Sequence, residues 1–384
     1  MPALDPAQRA QADAVLAAVR ARLAAHDGWL AFDDYLELVL YAPGLGYYSA
    51  GATKFGAAGD FTTAPELSPL FGACVARQCA PLLRAGGTLL ELGAGSGALA
   101  AQLLVTLARL DALPERYAIL EVSAELRARQ QQRLAALPAA LRARLHWLDR
   151  LPAQRLRGVI LANEVADAVP FQCFSATASG FAERGVGLDA GGQLHWEERA
   201  ASPALHAELA RLSAQLPQAL APGYRGELCR RLDGWMAALA ATLEWGCILQ
   251  FDYGLGRREL YHPQRDQGTL RCHYRQRAHD DPFLHPGLQD ITAWVDFTRL
   301  AEAGSEAGLE VAGYCTQAAF LLGAGIDEEL AQASDALARA RLASEARQLL
   351  MPGEMGETFK AIALMRGDAP CPEAFQLQDL RHLL

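Results

Sequence analysis

The sequence predicts an α/β protein built on a doubly wound, mostly parallel sheet, and three observations carry that prediction. Short apolar runs recur from Thr88 onward, as TLLEL, YAILEV, RLHWL, GVILANE, GCILQFDYG, LEVAGYCT and ETFKAIALM. Seven such runs, several of them separated by helical stretches, are the pattern of strands whose two faces are covered by helices. The first run ends in an acid and opens at once into small residues, ELGAGSGALA, before a helix. The composition, 51% hydrophobic and 21% charged over 384 residues, is that of an ordinary globular chain. It is long enough for two domains, or for one domain with large insertions.

Residues 1–87 read as an N-terminal helical extension. Asp5 followed by Pro6 suits an N-cap and a first helical position, and Leu16, Val19 and Leu23 make a narrow apolar stripe. A second helix is expected over Asp33 to Tyr41, stopping at Pro43-Gly44, and a third over Pro65 to Arg84. Between them runs a long glycine-rich loop, GYYSAGATKFGAAGDFTTAPE. Loops of that length are disordered or functional, and Tyr47, Tyr48, Phe55 and Phe61 argue against disorder. It reads as a lid, although Thr62 to Glu66 also reads simply as a helix entry with Pro65 at its first position.

Residues 88–164 hold four of the strands, with helices over Ala98–Leu110 and Glu125–Leu137 between them. Residues 165–245 exceed what one crossover requires. FQCFSATASGF and ERGVGLDAGGQLHWEER suggest strands joined by a Gly-rich hairpin turn, and helices follow, the last over Leu228 to Leu243. This stretch is expected to be an inserted α+β subdomain on the rim of the sheet. Residues 246–384 complete the sheet. They carry a polar loop from Gly256 to Asp290, a helix near Val295 to Ala307 and a helical excursion over 318–350.

The net charge of −9 gives no reason to expect nucleic-acid binding. Eight cysteines never fall as C-x-x-C and read as buried free thiols of a cytosolic protein. No apolar run is long enough to span a membrane. The first residues lack the apolar core of a signal peptide, and Asp5 and Asp13 argue against a transit peptide. His273, His279, His285, Asp280, Asp281 and Asp290 fit no zinc spacing, so no metal is expected. That segment reads instead as a polar loop at the strand mouth, in contact with substrate, or as a plain solvated loop.

The glycines decide the ligand. A phosphate-binding P-loop needs Lys and then Ser or Thr after its last glycine, and Ala98 and Leu99 stand there. Gly93, Gly95 and Ala98 satisfy the dinucleotide fingerprint, but two features oppose it. Glu91 lies two residues before Gly93, which is unfavourable beside a pyrophosphate and favourable beside a cation. Gly97 adds one more position without a Cβ, letting backbone approach a bulky ligand. S-adenosylmethionine meets these needs, with a sulfonium, an ammonium and no phosphate. Glu121, ending the second strand, would then accept from the ribose hydroxyls, and Asp149, after the third, would meet the adenine amino group. The alternatives are an exposed strand-end acid for Glu91 and a helix-capping or loop acid for Asp149.

A methyl donor requires an acceptor site. ANEVADAVP follows the fourth strand, and Asn163, Glu164 and Asp167 are its polar members. Glu164 and Asp167 are three apart, so one turn could bring both carboxylates to a single face. Paired carboxylates suit a guanidinium, which they can hold through charged hydrogen bonds while one nitrogen faces the methyl. The alternative is that Asn163 and Glu164 only cap the following turn.

Ten blocks together carry a resemblance wider than the glycine turn: LYAPGLGYYS, GDFTTAPELSPLFG, LLELGAGSGAL, ILEVSAELRARQ, LANEVADAVP, LQFDYG, GTLRCHYRQRAHDDPF, PGLQDITAWVDFTRLA, TQAAFLLGAGI and MGETFKAIAL. On these the chain resembles the MidA family of S-adenosylmethionine-dependent methyltransferases, whose mitochondrial members are complex I assembly arginine methyltransferases. The resemblance implies a seven-stranded class I methyltransferase (Rossmann-like) sheet with the family's insertions. It implies S-adenosylmethionine as donor and protein arginine N-methylation, with a NADH dehydrogenase subunit as the family's kind of substrate. Glu91, Gly93, Gly95 and Gly97 match its donor motif. Gly59, Asp60 and Phe61 match its loop near the cofactor, and Asn163, Glu164 and Asp167 its acceptor-side motif. Gln276 stands where a second histidine would be expected in some relatives, so no catalytic histidine is assigned. With no transit-peptide pattern read at its start, a bacterial cytoplasmic location is the expectation, with a homodimer among the oligomeric states open to it. Two other readings stay open: a small-molecule methyltransferase, and a donor-binding assembly factor with little turnover.

Overall fold

A computed structural model describes residues 4–49, 63–84 and 86–384. Seven strands form the principal path of its large sheet: β1 (Thr88–Leu92), β2 (Arg116–Leu120), β3 (Leu145–Leu148), β4 (Leu156–Asn163), β5 (Leu243–Leu255), β6 (Glu310–Thr316) and β7 (Phe359–Arg366). Their spatial order is β6-β7-β5-β4-β1-β2-β3. β3, β2, β1, β4 and β5 run parallel, and β7 lies antiparallel between β5 and β6. The short strand Val295–Asp296 adds to the end of β5. The mostly parallel sheet expected from the alternation is therefore present. Its winding reverses between β1 and β4, and open sheets of this kind bind ligands beyond the strand ends at that point. Glu91 is near the end of β1, and Asn163 ends β4.

β4 shows why the sheet is buried on both faces. Val159 and Leu161 point into a core with Phe71, Leu103, Phe251 and Phe320, while Ile160 and Ala162 point into one with Met236, Leu239, Phe297 and Leu300. Alternation with period two sends both sets of apolar side chains inward, so the run reads as continuously hydrophobic.

Side-chain caps open several of the helices. Asp5 accepts from the backbone N–H of Gln8, whose side chain returns the bond, and opens Pro6–Ala25. The expected helix over Pro65 to Arg84 is split at Ser68. Ser68 ends Ala64–Leu67 and caps Pro69–Leu83, because Pro69 requires an extended residue before it.

The N-terminal extension and the insertion share structure. Leu30–Ala31 pairs with Gly180–Leu188 in a five-stranded antiparallel sheet that also contains Gln172–Thr177, Leu194–Ala200 and Arg225–Leu228. Val19, Leu23, Phe32 and Tyr35 bury against Phe171, Val186, Cys272 and Ile291. Segment 256–290 is more than the polar loop expected. Arg271–Tyr274, Arg277–His279 and Asp290–Thr292 form a three-stranded antiparallel sheet. Its tight turn puts Arg275 and Gln276 at φ of +49° and +61°, a conformation usually signalled by Asn-Gly. All eight cysteines are free. Among the described residues no helix is long and apolar enough to cross a membrane.

Candidate active site

β1 runs into a turn in which Gly93, Gly95 and Gly97 have φ of +58°, +52° and +83°. L-residues with a Cβ resist that region, so the three glycines set the shape of the turn. Gly97 is also the N-cap of the helix Ala98–Arg109, and a Cβ there would stand 3.4 Å from the Cα of Gln130. Gln130 is fully buried and locks the turn. It donates to the Gly95 carbonyl (3.0 Å) and to Glu121 (2.9 Å), and it accepts from the Trp147 indole (3.0 Å).

Glu91 is buried and accepts from the Tyr117 hydroxyl at 2.7 Å. Burial pushes its carboxyl up to about 7; the Tyr117 hydrogen bond opposes the shift and the charge of Glu121 adds to it. Glu121 also accepts from the Ser123 backbone at 2.8 Å. Ser96 is hydrogen-bonded to Glu66, and Arg133, which reaches both, is paired with Glu66 at 2.6 Å. The surroundings of the turn are thus acidic, and the charge of Arg133 is already neutralised by Glu66. A pyrophosphate would face Glu91 and Glu121 there, whereas a sulfonium with an ammonium is complemented by them.

The loop after β4 is held by a residue that sequence reasoning passed over. Asp252 of β5 is completely buried, and its Oδ2 accepts from the backbone N–H groups of Val165 (3.2 Å), Ala166 (3.0 Å) and Asp167 (3.3 Å). Its other oxygen accepts from the Tyr253 N–H at 3.0 Å. Burial, then the charges of Asp167 and Glu164, hold its carboxyl well above the ordinary range. Glu164 has φ of +54°, unusual for a residue with a side chain, and its N–H donates to the Phe251 carbonyl at 2.9 Å. Asn163 donates to Glu164 at 3.1 Å, and the Tyr253 hydroxyl donates to Asp167 Oδ2. The second oxygen, Asp167 Oδ1, is buried with no hydrogen-bond partner. Burial, and then the neighbouring Asp167, push Glu164 up to about 8. Burial pushes Asp167 up to about 6, against the Tyr253 hydrogen bond.

One cavity of about 740 Å³ connects the two halves. Glu91, Gly93, Gly95 and Glu121 line it, as do Asn163, Glu164 and Asp167. Gly97 acts behind the wall, against Gln130. Asp149 is exposed at the end of β3 and outside the cavity wall, which Leu120, Val122, Leu126 and Leu151 build on that side. Gly59, Asp60 and Phe61 lie outside the described residues. From the segment expected to be a polar loop, Arg271, His273 and Asp290 reach the cavity, while His279, His285, Asp280 and Asp281 do not line it. Among the described residues no group of three His, Cys, Asp or Glu could hold a metal ion.

Sequence reasoning missed Asp252, Gln130 and Tyr253, and had Asp290 only as a member of a polar loop in contact with substrate. For Asp252 there was a signal: an acid inside the otherwise apolar run GCILQFDYG must find donors or be neutralised. The N-terminal extension also reaches the site. Tyr41 donates to the Ala168 carbonyl and Tyr48 to Asp290, both at 2.7 Å.

Known proteins repeat this architecture. Residues 74–315 match the model of a family described as putative S-adenosyl-L-methionine-dependent methyltransferases. A crystal structure from Burkholderia thailandensis, of a candidate methyl transferase bound to S-adenosyl-homocysteine, is 44% identical and superposes with a TM-score of 0.94, covering all of both chains. A second structure from that organism is 43% identical with a TM-score of 0.91, again over the whole of both chains. The chain is also similar to proteins named protein arginine methyltransferase NDUFAF7, mitochondrial. The one from Danio rerio is 28% identical over 88% of this chain and 84% of its own length. The one from Homo sapiens is 28% identical over 86% and 79%.

Proposed function

This chain belongs to the family of S-adenosyl-L-methionine-dependent methyltransferases, and on that premise we propose that its acceptor is an arginine side chain of a protein. The observation that carries the reading is the acid end of the cavity, where Glu164, Asp167 and Asp290 all form the wall. Carboxylates crowded in a buried place raise one another's proton affinity, and a cation between them relieves that repulsion. A guanidinium supplies the cation together with five N–H donors in a plane. The relatives named as protein arginine methyltransferases support the same acceptor class.

S-adenosylmethionine supplies an electrophilic methyl group on a sulfonium. The residues of this chain have the remaining tasks. Glu164 and Asp167 accept from the guanidinium and turn one nitrogen toward the donor half of the cavity. Asn163 and Tyr253 hold those carboxylates in place, and Asp252 fixes the backbone beneath them. When the nitrogen gains a methyl it must lose a proton. Glu164, with its proton affinity held near neutral pH, is the group to take it.

The test is chemical. Protein incubated with tritium-labelled S-adenosylmethionine and a lysate from cells lacking the gene should label a protein band, and acid hydrolysis should release methylarginine. A NADH dehydrogenase subunit is the first acceptor to try. Label confined to small molecules, or recovered as methyllysine, contradicts the proposal.

A further inference from the structure

We propose that Asp290 and Thr292 form a second wall of the acceptor seat, contacting the guanidinium from the three-stranded sheet while Glu164 and Asp167 contact it from the loop after β4. This inference rests on the arginine reading and says which residues beyond that loop select the acceptor. Asp290 and Thr292 are two apart on one strand, so their side chains share a face, and both line the cavity.

Thr292 is 1% exposed, and its Oγ1 is buried with no hydrogen-bond partner. Asp167 Oδ1, in the same cavity, is in the same condition. Leaving one buried polar atom without a partner is costly, and the great majority of such atoms are satisfied. Two of them on one cavity, contributed by different elements, point to a ligand with several donors spread in space. A guanidinium has that spread, whereas an ammonium concentrates its three donors at a point. Asp290 is 4% exposed, and the Tyr48 hydroxyl donates to its Oδ1. Its charge acts on Tyr41, Tyr48, Tyr253 and Glu164, which places it electrostatically with the loop carboxylates. A neutral acceptor would do nothing to offset the mutual repulsion of Glu164 and Asp167 in a buried seat.

The experiment titrates protein saturated with S-adenosylhomocysteine, following the fluorescence of its tryptophans, of which Trp235 and Trp294 line the cavity. The probes are the N-acetyl amides of arginine, citrulline and lysine. The expected order is arginine well ahead of lysine, with citrulline, which has the shape without the charge, weakest. Asp290→Asn keeps the shape and should weaken arginine amide binding about tenfold or more, as expected for loss of a charged hydrogen bond. Thr292→Val removes an atom with no partner in the protein, so the thermal midpoint should hold while arginine amide binding weakens about threefold or more. Affinity for S-adenosylhomocysteine should stay unchanged in both. If both variants bind the arginine amide as the wild type does while Glu164→Gln does not, the second wall is wrong and the arginine reading stands. If the wild type shows no preference for arginine over citrulline, the arginine reading itself fails.

Discussion

Glu164 combines three unusual properties: a positive φ, burial against other acids, and a carboxyl pushed up to about 8. Backbone strain of this kind persists only where its surroundings enforce it, and here Asp252 and the Phe251 carbonyl do so. The raised carboxyls have a consequence for stability. Glu91, Asp167 and Glu164 bind their protons more tightly in the folded chain than in the unfolded one, at about 7, 6 and 8. The folded state then holds more protons between the ordinary carboxylate range and those values, so stability falls as pH rises across that window. Without ligand, the thermal midpoint should drop from about pH 5 to about pH 8.5, the window those raised carboxyls span, and Glu164→Gln should flatten the drop. A midpoint that rises over that range, or a variant with the wild-type slope, would count against these buried acids. At this scale the sequence was readable where a residue's local role is unique. Three glycines after an acid imply positive φ and close approach. Asp252 and Gln130 were not readable, because their partners lie across the fold. Asp252 serves backbone groups more than eighty residues away in the chain, and only the register of β4 against β5 brings them together.

The elements divide the work. β1, β2 and the glycine turn shape the donor half of the cavity. The loop after β4, the N-terminal tyrosines and the strand Asp290–Thr292 shape the other end, which the proposed function gives to the acceptor. The long strands were legible because continuous apolar runs alternating with helices are the pattern of a sheet buried on both faces. The small sheets were less so. Arg225–Leu228 has four residues, and the turn at Arg275-Gln276 lacks the glycine that announces a tight hairpin. The strand pairing that joins the N-terminal extension to the insertion is only two residues long, too short to leave a pattern. Gly185 permits that pairing, since a Cβ there would lie 2.4 Å from the Leu30 carbonyl and from the Trp29 ring. Gly185→Val should therefore loosen the extension, speeding amide exchange over residues 30–48. Methyl transfer should fall while affinity for S-adenosylhomocysteine is kept. Unchanged exchange in that segment would show that the close approach is not needed to dock it.

As a whole, the molecule joins two kinds of structure with different legibility. The sheet, its order and its donor crevice follow from strand alternation and one glycine motif, because those are local signals repeated along the chain. The half of the cavity proposed for the acceptor is assembled from segments near residues 41, 48, 164, 253 and 290, whose meeting is a property of the tertiary fold. The same division predicts that donor binding and methyl transfer can be separated. Glu164 and Asp167 line the cavity away from the glycine turn, and the proposed function assigns them to the acceptor. Their loss should weaken what is made in the transition state far more than what holds the donor.

The most direct test measures both quantities side by side in Glu164→Gln and Asp167→Asn. S-adenosylhomocysteine affinity is taken by calorimetry and methyl transfer from labelled donor to the lysate acceptor. Transfer is predicted to fall by about a hundredfold or more, the scale of losing a positioned acid–base group, while the dissociation constant stays within about threefold. Donor affinity falling in step with transfer would contradict the assignment of these carboxylates to the acceptor.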